Sequence, residues 1–116
     1  MAVGMVRAVR MLGQAEHSVY ALVDPMNEVR YIGRTGRSTG LRLLEHLRDL
    51  RKPKFAELNL RIGREWTGLT RAQARGLEEM LYREYVDTGN LLNKIRPVSI
   101  PNPRRAYYLE EASEIL

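Results

Sequence analysis

The feature that most constrains this chain is a pair of β-branched and aromatic runs joined by a turn. His17-Ser18-Val19-Tyr20-Ala21-Leu22-Val23 and Val29-Arg30-Tyr31-Ile32 are strand formers, and Asp24-Pro25-Met26-Asn27-Glu28 between them holds Pro and Asn where a turn requires them. The pattern predicts a β-hairpin of Val19 to Val23 with Val29 to Ile32. Side chains alternate between the faces of a strand, so Tyr20 and Tyr31 share a face when the register permits, and two phenols then point the same way. The second strand leaves through Gly33, Arg34 and Thr35, just ahead of a basic helix. A glycine, a cation and a hydroxyl in that place mark a site.

A chain of 116 residues makes one ordinary domain and can bury a core without cross-links. Its 19 Lys and Arg against 14 Asp and Glu leave a formal charge of +5, which favours a polyanionic partner. The absence of cysteine excludes disulfides and thiolate metal sites, but leaves metal binding by carboxylate and water open. Arg7 and Arg10 interrupt the apolar amino end before a signal-peptide core can form, and no later run is long enough to span a bilayer. The expectation is a soluble protein with no membrane partner.

The chain divides into an amino-terminal extension with loosely helical spacing (1–16), a core (17–97), and a Pro-rich tail with a short helix packed on that core (98–116). After the hairpin, Leu41, Leu44, Leu47 and Leu50 suggest the buried stripe of a helix from Leu41 to Arg51, with Arg42, His46 and Asp49 on a different stripe. Leu58, Leu60 and Ile62 alternate with polar residues, as a half-buried third strand closed by Gly63 would. Thr70 and Gln73 form a capping box for the longest helix, Arg71 to Val86, whose apolar face is Ala74, Leu77, Leu81 and Tyr85. Pro97, Pro101 and Pro103 hold the tail extended, and a last helix begins at Arg105. The expected fold is α/β of the α+β kind: a small three-stranded antiparallel sheet flanked by helices, with an extra carboxy-terminal tail and helix.

Adjacent carboxylates on the long helix divide by geometry. Glu79 has Arg83 four residues on and reads as a surface pair, whereas Glu78 sits among Ala74, Leu81, Tyr82 and Tyr85, where an unpaired charge is costly. Either a divalent cation or an ion pair with Arg34 or Arg42 would compensate it. Arg42 offers a guanidinium fork suited to two phosphate oxygens, with a solvated surface arginine as the plainer reading. His46, one turn on, is either a phosphate or nucleophile contact or a lone helix-surface histidine. By default Tyr20 and Tyr31 are core aromatics, and a phenol with a pKa of about 10 needs nearby cations to act as a base at neutral pH.

Taken together, the tyrosine pair on a hairpin, the Gly-Arg-Thr exit, and Arg42 with His46 on the next helix resemble the GIY-YIG nuclease family. The family's two triplets stand here as Ser18-Val19-Tyr20 and Tyr31-Ile32-Gly33, and the resemblance runs from about His17 to about Ile95. Ser18 replaces the first glycine, and Arg34 stands where lysine is frequent. The resemblance implies that Glu78, in Ala74-Arg75-Gly76-Leu77-Glu78, holds one divalent metal, Mg²⁺ first and Mn²⁺ second. It implies that Arg42 faces the scissile phosphate, that His46 contacts the nucleophile or a phosphate, and that Tyr20 activates water with help from Tyr31. Gly33, Arg34, Thr35 and Asn93 would bind substrate, Gly33 by letting the backbone approach it.

The expected function is therefore a metal-dependent endonuclease acting on DNA or RNA. The segments Leu69 to Glu78 and Asn90 to Ile95, followed by Pro101-Asn102-Pro103, resemble the carboxy-terminal nuclease modules of bacterial polymorphic toxins. That implies an antibacterial effector domain, secreted within a larger protein, acting in the target-cell cytoplasm and neutralised by a cognate immunity protein. The alternatives are a repair or mobile-element endonuclease domain and a non-catalytic nucleic-acid-binding module.

Overall fold

The computed structural model describes residues 16–116, so the amino-terminal extension, all but its last residue, lies outside the described residues. Strand β1 (His17–Val23) and strand β2 (Val29–Thr35) form the expected hairpin, two residues longer at the start of β1 and three at the end of β2. Its turn is held by Asp24, whose Oδ1 accepts from the backbone N–H of Met26 at 2.9 Å and of Glu28 at 3.1 Å, while Asn27 takes a left-handed φ of 63°. Helix α1 (Thr39–Arg48) follows, then a short helix α2 (Pro53–Glu57), strand β3 (Arg61–Leu69), the long helix α3 (Arg71–Tyr85) with a 3₁₀ turn at Val86–Thr88, and helix α4 (Arg105–Ser113). The three strands make one antiparallel sheet in the order β2-β1-β3. This is an α+β fold.

Strand β1 is central and buried along nearly its whole length, because helices cover both of its faces. Val19 and Ala21 pack with Ile32, Ala74, Leu77 and Leu81 on the α3 side. Tyr20 and Leu22 pack with Phe55 and Leu60 on the other side, where Tyr31, Leu43 and Leu47 complete the layer. The register pairs Tyr20 with Gly33 and Leu22 with Tyr31, so both tyrosines lie on one face, as the shared-site reading requires.

Three sequence expectations are corrected. The strand read from Leu58 to Ile62 begins at Arg61 and runs through Gly63 and Trp66 to Leu69. Pro53 starts α2, Leu58 caps its end, and Asn59 at a φ of 53° turns the chain into the strand. Leu58 and Leu60 imitated strand alternation because both reach the cluster around Tyr20. On α1 the inward residues are Leu43, His46 and Leu47, while Leu41 and Leu50 are 55% and 93% exposed. Finally, Glu79 is fully buried and makes no surface pair with Arg83.

Glu79 instead anchors the tail. Its Oε2 accepts from Arg96 Nε and Nη2 at 2.9 and 2.7 Å and from Arg105 Nη2 at 2.8 Å, and its Oε1 accepts from the Val98 N–H at 3.2 Å. Four donors compensate a charge that could not otherwise be buried. Gly76 lets α4 press against α3: a Cβ there would collide with the Tyr108 carbonyl and approach Ala112 Cβ to 2.8 Å. The capping box of α3 is formed in both directions, Thr70 Oγ1 accepting from Gln73 N at 3.1 Å and Gln73 Oε1 from Thr70 N at 2.9 Å.

Candidate active site

The hairpin presents Tyr20 and Tyr31 toward α1, with ring centroids 6.3 Å apart. Their closeness depends on Gly33, opposite Tyr20: a Cβ at that position would lie 2.5 Å from Tyr20 Cζ and Oη and 2.7 Å from Tyr31 Cε2. The glycine makes room for the two phenols.

His46 closes the cluster from α1. It is buried, and its Nε2 lies 3.0 Å from the Tyr20 hydroxyl. Its ring stacks on Phe55 at 4.7 Å and meets Tyr31 edge-on at 5.0 Å. Burial, then the Arg42 and Lys52 charges, lower its pKa to about 4, so the imidazole is neutral at physiological pH. With its proton on Nδ1 it accepts the Tyr20 hydroxyl hydrogen. Burial, reinforced by Tyr31, pushes the Tyr20 phenol far above its usual range, with Arg42 acting in the opposite direction. Burial and the Glu78 charge raise the Tyr31 phenol, again against Arg42. Arg42 and Glu78 therefore both lie within electrostatic reach of the phenol pair. The guanidinium of Arg42 is about a third exposed and borrows Glu45 at 3.4 Å, a carboxylate that Arg37 already holds at 2.5 Å.

Glu78 reaches the site from α3. Its side chain is 12% exposed, and Arg34 Nε lies 3.2 Å from its Oε1, so the ion-pair alternative read from sequence is present. Burial nevertheless pushes the carboxyl up to about 7, with Arg34 and Arg75 lowering it and Glu79 raising it. The two arginines under-compensate the buried charge, and a divalent ion is the kind of charge that would complete the compensation. Among the described residues no cluster of three or more His, Cys, Asp or Glu could hold a metal. With Glu78 as the one carboxylate, such an ion would need water and substrate oxygens to complete its shell, as Mg²⁺ commonly does.

Two expected substrate contacts have other work in the structure. Asn93 spends its amide on β2, its Oδ1 accepting from Ile32 N at 3.0 Å and its Nδ2 donating to Ile32 O at 2.8 Å. With Leu92 N donating to Arg30 O at 2.6 Å, it covers the outer edge of the hairpin and fixes Tyr31 in place. Buried Thr35 accepts from Arg37 N at 3.0 Å and shapes the loop into α1. Sequence reading missed Phe55, which stacks on His46, and Arg75 beside Glu78. Pro53, two residues before Phe55, was the available signal, since proline favours the first position of a helix and so marks a short helix here.

No family model matches the chain, and neither does any curated protein or solved structure. Among the described residues, no helix is long and apolar enough to cross a membrane.

Proposed function

We propose that the chain is a metal-dependent nuclease of the GIY-YIG type, hydrolysing phosphodiester bonds of DNA or RNA. The observation that carries the reading is the buried Tyr20 to His46 hydrogen bond, set beside Tyr31 and flanked by Arg42 and Glu78. A phenol so buried is too weakly acidic to persist as phenolate. It serves instead as a relay: Tyr20 takes a proton from the attacking water while passing its own to His46 Nε2, and stays neutral throughout. His46 is a weak base at rest partly because of Arg42 and Lys52. An anionic phosphate on Arg42 offsets that charge and raises the basicity of His46, so the relay strengthens when substrate docks. Arg42 holds two phosphate oxygens, and Tyr31 supplies a second phenol beside the water.

Glu78 would hold the divalent ion, with Arg34 keeping the carboxylate in place. When bound, such an ion supplies positive charge against the phosphate as negative charge builds there. On the resemblance to polymorphic-toxin modules, the setting is an antibacterial effector domain that a cognate immunity protein neutralises. The deciding experiment is incubation of folded protein with plasmid and with tRNA, in Mg²⁺ and in EDTA. Cleavage of either substrate in Mg²⁺ alone, lost in Tyr20→Phe, is expected. Folded protein that cuts neither substrate overturns the reading.

A further inference from the structure

Beside the phenol cluster lies a cleft of about 330 Å³, and Tyr31 belongs to both. Tyr31 and Phe55, edge to face at 5.0 Å, line it together with Leu92. Among the described residues, four cationic ones, Arg51, Lys52, Lys54 and Lys94, line it as well, and no carboxylate does. Asp49 draws off Arg51 at 3.1 Å and Glu57 draws off Lys54 at 3.4 Å. Lys52 and Lys94 have no carboxylate partner among the described residues, and Lys52 Nζ sits 5.9 Å from the centre of the Phe55 ring. Ile95 forms an apolar lip and is 82% exposed.

We infer that this cleft takes one unpaired nucleobase of the nucleic acid, with the phosphates on either side of it drawn to Lys52 and Lys94. The inference rests on the nuclease reading for the identity of the chain's polyanion. A phosphate patch alone has no use for Phe55 and Leu92, and an apolar ligand alone has no use for unpartnered lysines. A nucleotide within a strand needs both, because a flat π-face lies between two anions. The volume is at the small end of the roughly 300 to 1,000 Å³ of ligand pockets, enough for one base. A base enters only if it is out of its stack, so the substrate class is single-stranded or locally unpaired nucleic acid.

The test is binding in EDTA, where nothing is cut, by fluorescence anisotropy of the intact protein with labelled probes of equal length. The probes are single-stranded DNA, single-stranded RNA, a single strand of abasic sites, and a blunt DNA duplex. A base-bearing single strand should bind about ten-fold or more tightly than the abasic strand or the duplex, the range that stacking one base supplies. Ile95→Glu, at a position exposed enough to spare the fold, should erase most of that preference without moving the melting temperature. Lys52→Gln with Lys94→Gln should weaken binding to base-bearing and abasic strands alike and flatten the salt dependence. Equal affinity for abasic and base-bearing strands, or an unchanged preference in Ile95→Glu, overturns the subsite. Cleavage in Mg²⁺ is measured on the same preparations. Cleavage without base-dependent binding removes the subsite and keeps the nuclease, whereas base-dependent binding without cleavage keeps the subsite and removes the nuclease.

Discussion

Replacing Glu78 by Gln separates a site carboxylate from a structural one, because the two roles move stability in opposite directions. In metal-free protein the Glu78 carboxyl is raised from an ordinary 4.5 to about 7, while its side chain is only 12% exposed. Between those pH values the folded chain keeps a proton that the unfolded chain releases. Stability from this group is therefore fully present below about 4.5 and falls as pH rises toward about 7, above which the loss is complete. The loss is about 3 kcal/mol, already net of the attraction of Arg34 and Arg75. Glutamine mimics the protonated state and can still accept from Arg34. The variant should then match wild type at pH 4 and melt higher at pH 8, by about 10 to 15 °C for a domain of this size. Cleavage should fall by orders of magnitude in the same protein, while nucleic-acid affinity holds or rises with one repulsive carboxylate gone. Thermal melts in EDTA across pH 4 to 8, with activity per folded molecule, check both parts. A lower melting temperature at pH 8 would show that Glu78 is a structural ion-pair partner, and full activity in folded variant would end the metal-site proposal.

Glu79→Gln, one residue along, should instead destabilise by about 2 to 4 kcal/mol, since Arg96 and Arg105 lose the charge that four hydrogen bonds serve; urea melts read this, and a loss under 0.5 kcal/mol contradicts it. Gly76→Ala should displace α4 by forcing a Cβ against the Tyr108 carbonyl, visible as faster hydrogen exchange across Arg105–Ser113. Tyr20→Phe leaves His46 Nε2 without its partner and should cost about 1 kcal/mol of stability but nearly all cleavage; comparable losses in both would make the tyrosine merely structural. Expression of the active domain alone should poison a bacterial host, and Glu78→Gln should relieve it; harmless high expression of wild-type protein would count against the toxin setting.

Local chemistry made much of this molecule legible in its sequence. The Asp24 to Glu28 turn, the Thr70 and Gln73 capping box and the left-handed Gly89 after α3 are decided within a few residues of chain. The two tyrosines on one face followed from the period of a strand once the turn set the register. Faces and partners were decided elsewhere. Helix α1 carries leucines at 41, 43, 44 and 47, with Leu50 just past its end, enough for two overlapping stripes, and the one turned inward is chosen by Phe55 stacking on His46 and by the Tyr20 hydroxyl. Glu78 and Glu79 are identical in chemistry and adjacent in sequence. What separates them is the tail, whose Arg96 and Arg105 arrive from 17 and 26 residues away to claim Glu79 and leave Glu78 facing Arg34. Gly33 and Asn93 were visible as conspicuous residues, but their work, making room for an aromatic ring and clamping the hairpin edge, exists only once distant strands and loops are brought into contact.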